Sequence, residues 1–287
     1  MVEWLAAFWQ TYNTLVYLLF THAILALSIY ITLNTGLLSV GNAAFAGIGA
    51  YTSALLTMKL DLPFPVCLAA GSAAAGLVGL AIGLPVLRLS GVYLALATLA
   101  FGEVIRVVFL NLEVTGGAMG LNGIPPKTEL WHLVLACAAL IYFFERLRRS
   151  RLGRTLDAIR EDEVAARVMG IDVVYHKNLV FVLGAMLAGL AGGFNAHFTF
   201  FISPREYGFG PAVDILAFAV LGGTGSYWGP ILGSTILTLL PELLRFLADF
   251  RGMVTGLVLF LVIVYLPNGL LEVPDVVRRM LRRGAKP

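Results

Sequence analysis

Nine apolar stretches, most of them near twenty residues long, leave this chain few options. They run over about 14–33, 39–58, 64–87, 91–112, 131–147, 177–200, 211–222, 228–247 and 252–271. A helix needs about 20 mostly apolar residues to cross the roughly 30 Å hydrocarbon core of a bilayer. Within lipid, only helices and closed barrels keep their backbone polar groups hydrogen-bonded. Charged residues make up 13% of the 287, against about 25% in soluble domains, so a water-soluble globule could not hide this much apolar surface. The expectation is an all-α, polytopic transmembrane helical bundle of eight or nine spans, forming one domain over residues 1–287. The seventh stretch is short for a span, which leaves eight open. The opening segment MVEWLAAFWQ has no basic residue, and the first in the chain is Lys59, so no cleaved signal peptide is expected. Cys67 and Cys137 lie in apolar runs and read as small buried hydrophobes, not as a disulfide or metal site.

Small residues recur four apart in three of the stretches: Ala46, Ala50 and Ala54; Gly71, Ala75, Gly79 and Gly83; Gly184, Ala188, Gly192 and Ala196. In lipid, helices associate by close packing, and small residues on one face let backbones approach. Two other segments look broken or re-entrant: 33–56, with Asn34, Gly36, Gly41 and Asn42, and 220–240, with Gly222, Gly223, Gly225, Gly229 and Pro230. Non-helical backbone at membrane depth is tolerated only against protein or a water-filled cavity, and such interruptions point to a substrate path in many transporters. Ser39, Gly41 and Asn42, with Gly223, Thr224 and Gly225, are therefore candidate path residues. Helix capping explains the polar ones equally well.

The charge is unevenly spread. Arg146, Arg148, Arg149, Arg151, Arg154, Arg160 and Arg167 crowd one interval, and Arg278, Arg279, Arg282, Arg283 and Lys286 crowd the tail, 274–287. Short loops rich in Lys and Arg stay cytoplasmic. Both regions are then expected inside, with four spans between them and five before, and the N-terminus outside. Segments 111–130 and 203–210 would be external. The central loop, 146–172, is patterned: Leu156 and Ile159 are three apart, and Val164 with Val168 and Ala165 with Met169 four apart. This spacing predicts two short amphipathic helices, about 152–160 and 162–169. Asp162 would cap the second, Gly170 would follow its end, and Glu163 would pair with Arg167. Such an element could be a solvated loop, a helix on the membrane surface, or a docking element for a soluble protein. The acidic cluster Asp157, Glu161, Asp162 and Glu163 argues against anionic lipid.

The piece GRTLDAIREDEVAARVMGID (153–172) resembles the cytoplasmic loop of membrane subunits of ATP-binding-cassette importers, in particular the LIV-type branched-chain amino-acid permeases. The same family is matched in order by TGLLSVGNAAFAGIGAYTSALL (35–56), GVYLALATLAFGEVIRVV (91–108), TGGAMGLNGIP (115–125), FISPREYGF (201–209), LGGTGSYWGPILGS (221–234) and LPNGLLE (266–272). The third of these is similar to the LivM type more than to the LivH type. The resemblance covers nearly the whole chain and implies an importer permease fold in a bacterial inner membrane. It implies a homologous, LivH-like second permease, two cytoplasmic ATPase subunits that use ATP and Mg, and an external solute-binding protein that hands over the solute. In that family the loop is the coupling helix, so Arg160, Glu161, Asp162, Glu163, Val164, Ala165, Arg167, Val168 and Gly170 would meet the ATPase. The external segments would receive the solute-binding protein.

The residues themselves offer no nucleotide site, since no Gly-rich loop ends in Lys-Ser or Lys-Thr. No cofactor, metal or nucleic acid is expected in this chain, and it is not expected to be an enzyme. Glu103 and Arg106 lie within an apolar stretch, three apart, where they can neutralise each other on one helix face. A structural pair is the preferred reading over a gating role. His197 could carry protons, but a lone helical histidine is more often a hydrogen-bonded packing residue. Two rival functions remain at this stage. An ion-coupled transporter would need a carboxylate path, for which Glu103 is a thin candidate. An intramembrane hydrolase would need Ser226 or Ser234 in contact with His197.

Overall fold

The computed structural model describes residues 2–243, with side chains from Tyr12 onward, and the isolated positions Gly256, Leu257, Phe260, Leu261, Val264, Gly269 and Leu270. Most of the ninth apolar stretch and the whole basic tail lie outside the described residues. Ten α-helices are described: α1 (Val2–Leu33), α2 (Asn42–Leu60), α3 (Phe64–Val86), α4 (Val92–Asn111), α5 (Leu130–Arg149), α6 (Arg151–Glu161), α7 (Glu163–Val168), α8 (Val173–Thr199), α9 (Phe209–Gly222) and α10 (Trp228–Leu243). One ribbon joins β1 (Leu121–Asn122) to β2 (Phe201–Ile202), antiparallel.

Each of the first eight apolar stretches meets one helix, so the all-α expectation holds. The count of eight or nine spans is not confirmed. Among the described residues, five helices are long and apolar enough to cross a membrane: Tyr12–Leu33 within α1, and α3, α4, α5 and α8. At 14 residues, α9 reaches only about 21 Å at 1.5 Å per residue, and α10 is described as far as Leu243. Helix α2 carries Asn42, Thr52, Ser53 and Lys59 among its apolar residues and is buried along most of its length, so protein rather than lipid surrounds it.

The small-residue faces explain why α2 is central. A Cβ on Gly192 of α8 would sit 1.9 Å from the Ala46 oxygen of α2, and one on Gly49 would sit 2.1 Å from the Gly189 oxygen. Gly71 of α3 meets Gly49, and Gly189 meets Ala75. The three expected stripes thus converge on one seam, where α2, α3 and α8 touch backbone to backbone. Gly184 carries the seam to α1, against Ser28 and Thr32. Around it pack Phe45, Tyr51, Phe109 and Phe181.

The ends of the bundle follow from helix directions. Helix α8, 27 residues long, separates α7 from β2 by about 40 Å at 1.5 Å per residue. At one end lie α6, α7 and the end of α1, where Arg160 donates to Asn34 Oδ1 at 3.2 Å. At the other lies the ribbon, pairing Leu121 with Ile202 and Asn122 with Phe201.

Two segments enter the bundle from opposite ends. Residues 37–41 turn in from the α6 end, and Val40 N donates to Thr98 Oγ1 of α4 at 3.0 Å. Residues 204–208 turn in from the ribbon end, and Phe209 N donates to Glu103 Oε1 at 2.9 Å, halfway along α4. Segment 203–210, expected to be external, reaches part of the way along α4 through this contact. The break expected at 33–41 is present and reaches inward. The break at 223–227 instead lies near the α6 end, where the Tyr227 hydroxyl donates to Glu145 Oε2 at 3.1 Å, one turn before the end of α5.

Candidate functional site

The loop between α5 and α8 is a rigid elbow whose three helix starts are all capped. Ser150 Oγ accepts from Gly153 N at 3.0 Å. Asp162 Oδ1 accepts from Val164 N at 2.8 Å and from Ala165 N at 3.0 Å. Asp172 Oδ1 accepts from Tyr175 N at 3.0 Å. Helix α7 ends at Gly170, φ +84°, where Gly170 N donates to Arg167 O and Ile171 N to Ala166 O. That is a Schellman arrangement, and its left-handed residue favours glycine. Gly153 is needed at the α5–α6 corner, because a Cβ there would meet Leu147 O at 2.2 Å.

The elbow is fastened to the bundle by its inner face. Leu156 packs with Leu27, Tyr30, Phe144 and Val180. Ile159 packs with Ala166 and Val173. Glu163 binds Arg167 as expected and also Lys177 of α8, a partner the loop's own periodicity could not reveal. The hydrogen bond from Lys177 holds the Glu163 carboxyl below its ordinary value, with the charges of Lys177 and Arg167 adding to it and partial burial opposing it. A depressed carboxylate contributes stability above its unfolded value and loses it only as pH falls through the folded one. The clamp therefore persists through neutral and mildly acidic pH.

The outer face is apolar and unpartnered among the described residues. Val164, Val168 and Met169 are exposed by 69%, 82% and 81%, and Ala165 beside them is exposed too. Arg160, Glu161 and Asp162 surround this patch and are likewise exposed. Of the two apolar sets in the loop, the structure assigns Leu156 and Ile159 to the bundle and leaves Val164 and Val168 free. Removing the Asp162 cap by Asp162→Ala should cost about 0.5–2 kcal/mol of local helix stability. Faster hydrogen exchange at the Val164 and Ala165 amides is the expected readout.

Inside the bundle, a cavity of about 490 Å³ opens between α1, α8, α9, α10 and residues 206–207. Its wall includes Leu18, Leu25, Ile215, Phe218 and Leu237, and its polar groups include His22, Asn195, Glu206, Tyr207, Asp214 and Thr238. None of the six path candidates from the sequence lines it. Asn42 donates to Ser28 Oγ at 2.8 Å, and Ser39 Oγ accepts from Gly41 N at 3.4 Å. Both side chains are buried and serve the entry of α2. Gly223 ends α9, with Thr224 and Gly225 in the following turn. What does reach the cavity from the inward-turning segments is Ala43 and Ala46 on one side and Tyr207 and Pro211 on the other. Small, aromatic and apolar residues give no polar signal in a sequence.

Glu103 and Arg106 pair at 2.7 Å, and Glu103 also caps the start of α9 through Phe209 N. A Cβ on Gly208 would press on Arg106 Cδ at 2.8 Å. The pair therefore holds the inward-turning segment in place. Thermal stability should fall in the order wild type, Glu103→Gln, Glu103→Leu, because Gln keeps an acceptor for Phe209 and Leu keeps none. A leucine variant as stable as wild type would contradict this role. His197 is fully buried, with its ring nitrogens 2.9 Å from Thr57 Oγ1 and 2.9 Å from Gly193 O. Ser234 Oγ donates to Ile231 O at 2.9 Å. The serine–histidine contact that a hydrolase would need is not formed, and His197 is a packing residue. Among the described residues, no group of three or more His, Cys, Asp or Glu could hold a metal ion.

The sequence matches the family described as branched-chain amino acid transport system / permease component over residues 11–265. The high-affinity branched-chain amino acid transport system permease protein LivM of Escherichia coli (strain K12) is 34% identical over 282 residues, covering 86% of this chain and 66% of that protein. LivM of Salmonella typhimurium shows the same identity and coverage. The high-affinity branched-chain amino acid transport system permease protein LivH of Escherichia coli (strain K12) is 35% identical over 144 residues, covering 50% of this chain and 46% of that protein. The chain thus spans just under two thirds of the length of the LivM relatives. No solved structure matches it.

Proposed function

The chain belongs to the family of branched-chain amino acid transport permease components, and on that footing we propose that it is the membrane subunit of an ATP-binding-cassette importer for branched-chain or other neutral amino acids or related small amides. It works beside a homologous, LivH-like second permease in a bacterial inner membrane. Two cytoplasmic ATPase subunits bind and hydrolyse ATP with Mg, and an external solute-binding protein delivers the solute. The elbow of α6 and α7, with the tail 274–287, faces the cytoplasm, and the N-terminus faces outward.

The observation that carries this reading is the free apolar face of α7. An element capped at each helix start, clamped to α8 by Glu163 and seated on the bundle by Leu156 and Ile159 transmits force as one piece. Its exposed apolar surface, Val164, Ala165, Val168 and Met169, suits a groove on a soluble partner. A push there reaches α5 and α8 directly, and through α8 the seam with α2 and the wall of the cavity. At the far end, the β1–β2 ribbon brings the two segments 111–130 and 201–210 together, a single platform for the solute-binding protein.

Purification from native membranes followed by an ATPase assay tests the reading. The expected result is a co-purifying ATPase whose turnover rises with solute-loaded binding protein. Uptake that survives ATP depletion but collapses with the ion gradient would replace this reading with an ion-coupled one.

A further inference from the structure

We infer that the intramembrane cavity is a solute-binding site that grips an ammonium group, with Asp214 as its charge partner and Leu18, Leu25, Ile215, Phe218 and Leu237 holding an aliphatic body. This rests on the proposed importer function and specifies which part of the solute the membrane subunit reads. Four observations lead there. The first is size: about 490 Å³ falls within the roughly 300–1,000 Å³ of small-molecule sites.

The second is the direction of the hydrogen bonds. Thr21 donates its hydroxyl proton to Tyr17 O, Thr199 to Asn195 O or Phe201 O, and Thr238 to Ser234 O. Their oxygens are left as acceptors. His22 Nδ1 lies 2.8 Å from Thr238 Oγ1. In the tautomer in which Nδ1 donates to that hydroxyl, Nε2 is an acceptor as well. With the two carboxylates of Glu206 and Asp214, the wall is rich in acceptors. Its side-chain donors are the Asn195 amide and the Tyr207 hydroxyl. An ammonium, which carries three donors and a positive charge, complements such a wall, and an isolated carboxylate does not.

The third is Asp214 itself. It lies on α9, is exposed, lines the cavity and has no hydrogen-bond or ion-pair partner among the described residues. A charge in this setting is costly and marks function when it faces an interior cavity. The fourth is Tyr207, which is 4% exposed. Its hydroxyl is buried without a hydrogen bond, beside the Asn195 amide. A buried hydroxyl left open costs stability unless a ligand satisfies it. A carboxylate at the other end of the solute would accept from the Asn195 amide, which lines the cavity.

Binding of radiolabelled leucine to the purified complex in nanodiscs, without solute-binding protein, is the test. Leucinamide, which keeps the ammonium, should compete, and 4-methylpentanoate, which lacks it, should not. Asp214→Asn should weaken leucine binding at least tenfold, and Asp214→Glu should restore part of it. Equal competition by 4-methylpentanoate overturns the inference without any variant, as does unchanged binding in Asp214→Asn. Absence of leucine binding in the wild type overturns it too. The importer reading stands or falls separately, on solute-stimulated ATPase activity in the same preparation.

Discussion

Val164→Asp and Val168→Asp are each expected to reduce uptake to background while leaving the chain folded and inserted. Both side chains are mostly exposed in the subunit alone, so an added carboxylate meets water there and costs the free chain little. In a docked assembly the same carboxylate would be taken out of water against an apolar groove. Leaving a charge buried and unpaired costs about 3–5 kcal/mol, and each 1.4 kcal/mol is about a factor of ten in affinity. Loss of coupling by two to three orders of magnitude follows. Uptake in vesicles, co-purification of the ATPase and a thermal melt separate the possibilities. The expected pattern is lost uptake and lost co-purification with an unchanged melt. Normal uptake by both variants would remove α7 from the mechanism.

Gly192→Ala should prevent recovery of a monodisperse protein. Its Cβ would fall 1.9 Å from Ala46 O, a backbone atom that cannot swing aside, so α8 and α2 would have to separate along the seam. Overpacking of this kind costs about 1–3 kcal/mol or occasionally more. The added atom is met by backbone rather than by a flexible side chain, which places it at the upper end. Gly102→Ala is the control. Its Cβ would find only Ala44 Cβ, at 3.8 Å, an ordinary contact, and alanine is the better helix former by about 1 kcal/mol. The control should be as stable as wild type or more so. Size-exclusion chromatography in detergent and thermal melts would show the contrast. Equal behaviour of the two variants would mean that the α2–α8 seam is looser than its geometry requires.

Legibility in the sequence followed the range of the physics involved. The elbow was readable because its signals are local: Asp162 caps its own helix, Gly170 ends it, and Glu163 meets Arg167 one turn away. The seam was readable because packing in lipid selects small residues at a fixed spacing. Lys177, fourteen residues beyond Glu163, lay beyond any periodic signal. The same holds for Tyr227 reaching Glu145 and for His22 reaching Thr238, contacts that exist only once the helices are assembled. The cavity was missed for a further reason. Glycine and asparagine in broken segments drew attention to 39–42 and 223–225, which lie outside the cavity lining: Asn42 bonds to Ser28, and Gly223 ends α9. The cavity is lined instead by side chains from six separate elements, none unusual by itself. Inward entry at 204–208 was also hidden, because PREYGFG reads as a polar loop until Glu103 is seen to receive the start of α9.

The central claim is that the elbow of α6 and α7 is gripped by a cytoplasmic ATPase through the exposed face of α7. Photo-crosslinking from a benzophenone side chain introduced at position 168, in sealed native membranes of known orientation, tests it most directly. The account predicts a single crosslinked product with an ATPase subunit, formed from the cytoplasmic side and changed in yield by ATP. A probe that reacts with a membrane-impermeant reagent from outside, or that captures no ATPase in membranes actively taking up solute, would contradict it.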